Sequence, residues 1–325
     1  MSNILVTGGA GYIGSHTAKL LGAAGHTLTT LDDLSKGFRE AVLFGELVVG
    51  DVGDMDLVDS ILSKNGIDSV IHFAAKTIVP ESVENPLLYY GNNTSKTRNL
   101  IECCIRNGVR NFIFSSTAAV YGIPASGRCS EQSPLAPINP YGTSKMMSEM
   151  ILRDAAAASD LNYVILRYFN VAGSDPDGEI GQSTPNATLL IKVACEVAMG
   201  KREKLLVYGT DYDTPDGTGV RDYIHVTDLA LAHLNALEYL ERGGQSQTLN
   251  CGYGRGMSVN EIIEIVEAAH GSPINVERVG RRAGDPPSLI AEADAIRTLL
   301  GWHPQHASAD EIVRTSLAWE RNRKW

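Results

Sequence analysis

Among the twelve tyrosines of this chain, only Tyr141 is followed four residues later by a lysine, Lys145, in the stretch PYGTSKMMSEMIL. Where such a pair opens a helix, both side chains fall on one face, and the ammonium lowers the phenol pKa from its reference of about 10 toward working pH. A phenol so tuned is a general base for an alcohol proton. Upstream, Thr117 closes the apolar run Phe112–Ser116, from which its hydroxyl can bond the same substrate oxygen. A solvated Tyr/Lys pair on a helix surface is the competing reading.

A second chemistry belongs to Gly8-Gly9-Ala10-Gly11-Tyr12-Ile13-Gly14, which follows an apolar run directly and precedes a helical pattern from Ser15. Glycine at 8, 11 and 14 permits a tight turn, close approach of backbone to a pyrophosphate and close helix–strand packing. The helix N-terminus adds N–H donors and the positive end of its dipole. The spacing is one residue longer than the usual dinucleotide fingerprint. Asp32 and Asp33 end the next run, where a carboxylate accepts from the adenosine ribose hydroxyls and repels a 2′-phosphate, which favours NAD over NADP despite nearby Lys36 and Arg39. Asp51 and Val52 follow the third run; Asp51 either contacts adenine or caps the next helix.

These groups need a scaffold that delivers loops from several strands to one edge. The short apolar, β-branched runs Ile4–Val6, Leu28–Leu31, Leu47–Val49, Val70–Ala74, Asn111–Ser115 and Tyr163–Tyr168 alternate with amphipathic stretches. That pattern predicts an α/β fold with a doubly wound, Rossmann-type parallel sheet. Polar Gly/Asp/Pro-rich loops then flank helical patterns at Thr188–Met199, His225–Leu240, Val259–Ala269 and Asp310–Trp319. We expect a dinucleotide-binding domain over 1–170 plus about 221–248, and a smaller discontinuous α/β substrate domain over 171–220 plus 249–325.

Composition narrows the partners. With 325 residues, 43% apolar and 20% charged, the chain is long enough for two domains and is neither disordered nor collagen-like. A net charge of −10 repels nucleic-acid phosphates and anionic membranes, so neither is an expected partner and an anionic ligand must be caught locally. Five cysteines, at 103, 104, 129, 195 and 251, form no C-x-x-C and have no histidine at ligand spacing. This points to a reducing cytoplasm and to no metal site. Cys103 and Cys104 read as small buried residues. The segment MSNILVTGG lacks the features of a signal peptide, and no uncharged run approaches the roughly 18–20 residues that span a bilayer.

With GGAGYIGSH, HFAA and PESVENP, YYGNN, FIFSSTAAVYG, NPYGTSK, LRYFNVAG, DGTGVRDYIHVTDLA and RRAGDPP in place, the chain resembles the extended short-chain dehydrogenase/reductase family over nearly its whole length. The DGTGVRDYIHV block with YFNVAG resembles its UDP-sugar 4-epimerase branch. The resemblance implies interconversion of UDP-glucose and UDP-galactose, with a tightly held NAD reduced and reoxidised within one turnover. Tyr141 would take the 4-hydroxyl proton, Lys145 would bind the nicotinamide ribose and hold the phenolate, and Thr117 would orient the hydroxyl. It places Phe73, Ala74, Ala75, Asn92, Ser115 and Tyr168 with Gly8, Gly11, Tyr12, Ile13, Gly14, Asp32, Asp33, Asp51 and Val52 around NAD. Asn170, Arg221 and Arg282 would hold the diphosphate, Asp285 the uridine ribose, with Tyr208 and Leu289 also lining the substrate site. A homodimer would form through helices near Thr94–Asn107 and Tyr141–Ala158. A 4,6-dehydratase needs an acidic pair after the threonine, where this chain has Ala118-Ala119. Three positions depart from the pattern. Lys76-Thr77 displaces a lysine by one residue, and Leu189 replaces a polar group at the diphosphate. Leu289 is intermediate in size at the position gating hexose against N-acetylhexosamine, which leaves UDP-N-acetylglucosamine, UDP-xylose/arabinose and UDP-glucuronate as alternative substrates. A non-catalytic NAD-binding sensor is the alternative of another class.

Overall fold

The computed structural model describes residues 1–282, 284–323 and 325. Seven strands, all paired in parallel, make the main sheet. Their spatial order is Gln247–Cys251, Asn162–Tyr168, Asn111–Thr117, Ser69–His72, Asn3–Thr7, Thr27–Asp32 and Glu46–Val49. Six of these carry the runs expected from sequence, and the α/β doubly wound class is what the chain adopts. The run expected over Val70–Ala74 stops pairing at His72. The seventh strand, Gln247–Cys251, lies beside Asn162–Tyr168 from Gln247↔Val164 to Cys251↔Tyr168. The division expected at about 248 therefore cuts through a strand of the main sheet.

Side chains alternate between two cores because successive strand residues point to opposite faces. Leu5, Phe112, Phe114 and Ile165 pack with helices Met55–Lys64, Lys96–Arg106 and Pro140–Ala157 on one face. Ile4, Val6, Ile113, Val164 and Leu166 pack with Tyr12–Ala23 and Val226–Glu241 on the other. Both faces are covered, so the strands read as continuous apolar runs. Strand order reverses between Asn3–Thr7 and Ser69–His72, and the crevice at their carboxyl ends is where open α/β sheets bind ligands.

The second unit holds a small mixed sheet, in which Val220–His225 pairs with Asn170–Ala172, Gly256–Ser258 and Ser288–Ala291. It also holds a parallel pair, Leu205–Tyr208 with Val276–Val279. Helices Leu190–Ala198, Val259–His270 and Ala309–Asn322 share a third core. The first of these starts two residues later than expected because Leu189 stays extended as its N-cap. Among the described residues no helix is long and apolar enough to cross a membrane.

Candidate active site

The glycine turn follows the first strand directly. Gly8 takes φ +71°, and a Cβ there would sit 2.6 Å from the Ala74 nitrogen; a Cβ on Gly14 would sit 2.3 Å from the Gly8 carbonyl oxygen. The turn is closed by Gly8 N–H donating to the Leu31 carbonyl at 2.8 Å and by Gly11 N–H donating to that of Gly8 at 3.1 Å. Gly11 caps the helix Tyr12–Ala23 with no side-chain acceptor, so the first-turn N–H groups are left for a ligand. A close backbone cradle with uncapped donors fits a dinucleotide pyrophosphate.

Asp32 is buried at the end of the second strand, where its carboxylate accepts from Ala10 N–H at 3.0 Å and Leu34 N–H at 2.8 Å. It clamps the glycine turn to the sheet edge. Burial raises its pKa, and the two backbone N–H groups oppose that rise. Asp33 is exposed and accepts from Ser35. Asp51 does not cap the following helix: Asp54 does, accepting from Leu57 N–H at 3.0 Å. Asp51 instead accepts from Gly53 N–H at 2.7 Å and pairs with Lys96 at 2.6 Å, beside the buried Val52. The cap falls at 54 because the Asx turn at 51–53 intervenes before the helix begins.

Tyr141 and Lys145 occupy the first two turns of the helix Pro140–Ala157. Asn139 caps that helix, accepting from Gly142 N–H at 2.9 Å, and Pro140 at its first position is pre-set for helical φ. Both side chains are buried, so the solvated-pair reading does not hold. Thr117, at the end of the strand Asn111–Thr117, stands near enough to the Tyr141 hydroxyl to favour its ionised form. Lys145 Nζ donates to the Ser115 carbonyl at 2.9 Å and lies 4.8 Å from the centre of the Phe114 ring. The electrostatics differ from expectation. Burial raises the Tyr141 pKa above 10, opposed by the nearby Thr117 hydroxyl, and burial brings Lys145 down to about 7, opposed by Glu149. Desolvation outweighs the four-residue pairing here because both groups have left water.

Around this pair, Ser115 Oγ donates to the Tyr168 hydroxyl at 3.0 Å. Phe73 and Ala74 N–H both donate to the Thr7 carbonyl, carrying the 73–75 segment across the crevice. Asn92 is half-buried, whereas its neighbour Asn93 is buried and holds the backbone of Lys76 by both amide atoms, at 2.8 and 2.9 Å, and Ser144 Oγ at 3.1 Å. The Tyr12 hydroxyl turns away from the glycine turn and donates to the Gly173 carbonyl at 2.6 Å. Ile13 packs against the main core.

In the second unit, Arg221 donates to Asp285 at 2.5 Å, and the Arg282 guanidinium stacks 4.1 Å from the Tyr208 ring centre. Asn170 lies on the strand next to Arg221's, opposite Tyr223, and Leu289 lies opposite Arg221 in another adjacent strand with its side chain mostly buried. Guanidinium groups held by a carboxylate and a ring face are oriented for phosphate.

Sequence reading passed over the residues beneath the pair. Glu149 extends the Tyr141–Lys145 series by four more residues and is fully buried, and Arg167 stands as a charge inside a strand otherwise apolar. A charge in such a run demands a partner, which was the available signal. Elsewhere, Asp175, Asp177 and Glu179 bring oxygens within 4.8 Å of one another, and Lys19 reaches all three, at 2.8, 3.3 and 2.7 Å. That cluster is an ion-paired tie between the first helix and the 175–179 segment.

Residues 4–252 match the model of the NAD dependent epimerase/dehydratase family. The UDP-glucose 4-epimerase of Azospirillum brasilense is 55% identical over 320 residues, covering 98% of this chain and 92% of the relative. Among solved structures, the UDP-glucose 4-epimerase of Brucella ovis in complex with NAD is 45% identical, with a TM-score of 0.95 and 98% of each chain covered. The UDP-Glc/GlcNAc 4-epimerase of Campylobacter jejuni is 49% identical, with a TM-score of 0.87, covering 99% of this chain and 100% of that one.

Proposed function

The chain belongs to the NAD dependent epimerase/dehydratase family, and we propose that it interconverts UDP-glucose and UDP-galactose, inverting C4 through a transient 4-keto sugar. The observation that carries this reading is the convergence of Tyr141, Thr117 and Lys145 beside a glycine cradle, in a chain so close to epimerases of that activity. NAD, when bound, supplies a reversible two-electron acceptor for C4. The N–H groups around Gly8, Gly11, Tyr12, Ile13 and Gly14 would hold its pyrophosphate, Asp32 and Asp33 its adenosine ribose, and Asp51 and Val52 its adenine. Phe73, Ala74, Ala75, Asn92, Ser115 and Tyr168 would line the rest.

Tyr141 Oη accepts the 4-hydroxyl proton while Thr117 fixes that oxygen. A phenol whose pKa burial has raised gives up its proton only beside a cation, and Lys145 provides one at and below about pH 7. The keto sugar must then turn its other face, after which Tyr141 returns the proton. Turning requires a firm hold on the diphosphate, supplied by Asn170, Arg221 and Arg282, with Asp285 at the uridine ribose, Tyr208 behind Arg282, and few contacts to the hexose. Leu289 favours a second reading, an N-acetylhexosamine substrate, because leucine leaves more room than a tyrosine would.

Purified protein with no added NAD should convert UDP-glucose to UDP-galactose, followed through the anomeric proton signals. Conversion of only UDP-pentoses or UDP-uronates would overturn the assignment. Tyr141→Phe should keep its NAD and lose about 10²–10⁴-fold in turnover, measured by the same signals. We also assign a homodimer formed through the face carrying the exposed Val83, Leu87, Ile105, Met147 and Met150 on adjoining helices. Five unpaired, buried thiols suit a reducing cytoplasm.

A further inference from the structure

Tyr141, Lys145 and Glu149 follow one another at four-residue steps along a single helix, and each reaches one of three consecutive residues, 115–117, at the end of the central strand. Tyr141 meets Thr117, Lys145 meets the Ser115 carbonyl, and Glu149 accepts from Ser116 Oγ at 2.6 Å. Ser116 stands directly opposite Arg167 in the strand register. Arg167 grips Glu149 with two donors, at 3.0 and 2.6 Å, and Arg153 adds a third at 2.7 Å. The remaining arm of Arg167 donates to the Tyr121 hydroxyl at 3.0 Å, and that hydroxyl donates to Asn250 at 2.6 Å. Tyr121 ends the short 3₁₀ turn that Thr117 itself caps.

A bidentate ion pair this deeply buried costs desolvation that an apolar pair of similar volume would avoid, so stability alone is a weak reason for it. Its geometry supplies another. One carboxylate is tied to the strand that ends at Thr117 and, through Arg167, to its neighbour Asn162–Tyr168 and to the turn after Thr117, while its own helix carries Tyr141 and Lys145. We infer that Glu149 and Arg167 form a positioning clamp, fixing the Tyr141 hydroxyl against Thr117 and the Lys145 ammonium against Ser115 for turnover rather than for substrate binding. The inference rests on the function proposed above. Lys145 is faced by Glu149 and Tyr141 from its own helix, by the Phe114 ring, and by His72 from the neighbouring strand, which burial and the Lys145 charge hold near pH 3 and therefore neutral. Glu149 is thus the anion that supports the charge on Lys145.

The test uses the NAD-loaded enzyme. Glu149→Gln should lower kcat at least about tenfold with KM for UDP-glucose and NAD content unchanged within about twofold. The alkaline limb of its kcat–pH profile should move to lower pH, since removing the anion lowers the Lys145 pKa. Glu149→Asp should restore part of the loss. A loaded Glu149→Gln enzyme with normal kcat and an unmoved profile overturns the clamp, even if its Tm falls. Should that variant fail to fold, Ser116→Ala and Tyr121→Phe each remove one hydroxyl from the network, and each should lower kcat about two- to fivefold at constant KM; normal kcat in both overturns the clamp. Absence of any sugar conversion by the wild-type chain would overturn the functional reading itself, with the clamp's role, and is distinguished from failure of the clamp alone by that wild-type control.

Discussion

Lys145 has left water for a space between an aromatic ring and a backbone carbonyl, and the cost of that move has a measurable pH dependence. Its folded pKa, about 7, lies below the unfolded value of 10.5, so between those pH values the unfolded chain holds the extra proton and stability rises with pH. Below pH 7 the ammonium is charged in both states and its burial penalty is fully present. In NAD-free protein, Lys145→Met should therefore be the more stable form at pH 6 by urea unfolding. Its advantage should shrink by about 1.4 kcal/mol per pH unit above 7, while turnover is lost. A residue of this kind is retained against stability. At this scale the sequence was informative about residue type and spacing but not about solvation. The Tyr141–Lys145 spacing pointed to the pair, whereas the sign of the tyrosine shift depended on burial that no spacing reveals. Asp51 and Asp54 look alike in sequence, and only the intervening turn decides which one caps the helix.

At the scale of elements, the glycine turn and the helix it feeds share one contact surface with the strand ends. Gly14→Ala would place a methyl 2.3 Å from the Gly8 carbonyl oxygen, a backbone atom with no freedom to withdraw. The helix Tyr12–Ala23 would have to shift off the turn, taking its donors with it. NAD retained through purification, read by absorbance after denaturation, should fall at least about tenfold, while UDP affinity by calorimetry should change little, because the residues proposed to hold the diphosphate lie on other elements. Strands buried on both faces announce themselves as apolar runs, which is why five were legible, and the half-exposed edge strand Glu46–Val49 was still marked by its Leu-Val-Val run. Gln247–Cys251 was not, because it is five residues long, carries polar Gln247 and Asn250, and enters the sheet after a long excursion of the chain. Helix ends moved by a residue or two where a cap decided them, as at His225, whose imidazole accepts from Thr227 N–H at 3.1 Å.

For the whole molecule, a net charge of −10 is compatible with the proposed anion site because Arg221 and Arg282 are held locally, one by a carboxylate and one by a ring. The same surface carries an apolar face on adjoining helices, with Leu87 at 78% exposure and Met150 at 51%. If the proposed homodimer forms through this face, Leu87→Asp with Met150→Glu should leave a monomer by light scattering, with activity per chain falling less than about fivefold, since every proposed site residue lies within one chain. A different consequence follows from the last strand of the main sheet. Asn162–Tyr168 remains an open, apolar edge until Gln247–Cys251 joins it, and Asn250 in that strand anchors Tyr121, on which Arg167 rests. A ribosome must therefore deliver some eighty further residues before the sheet it has already made can close. A fragment ending near residue 170 should expose that edge and self-associate rather than bind dinucleotide as a free-standing module.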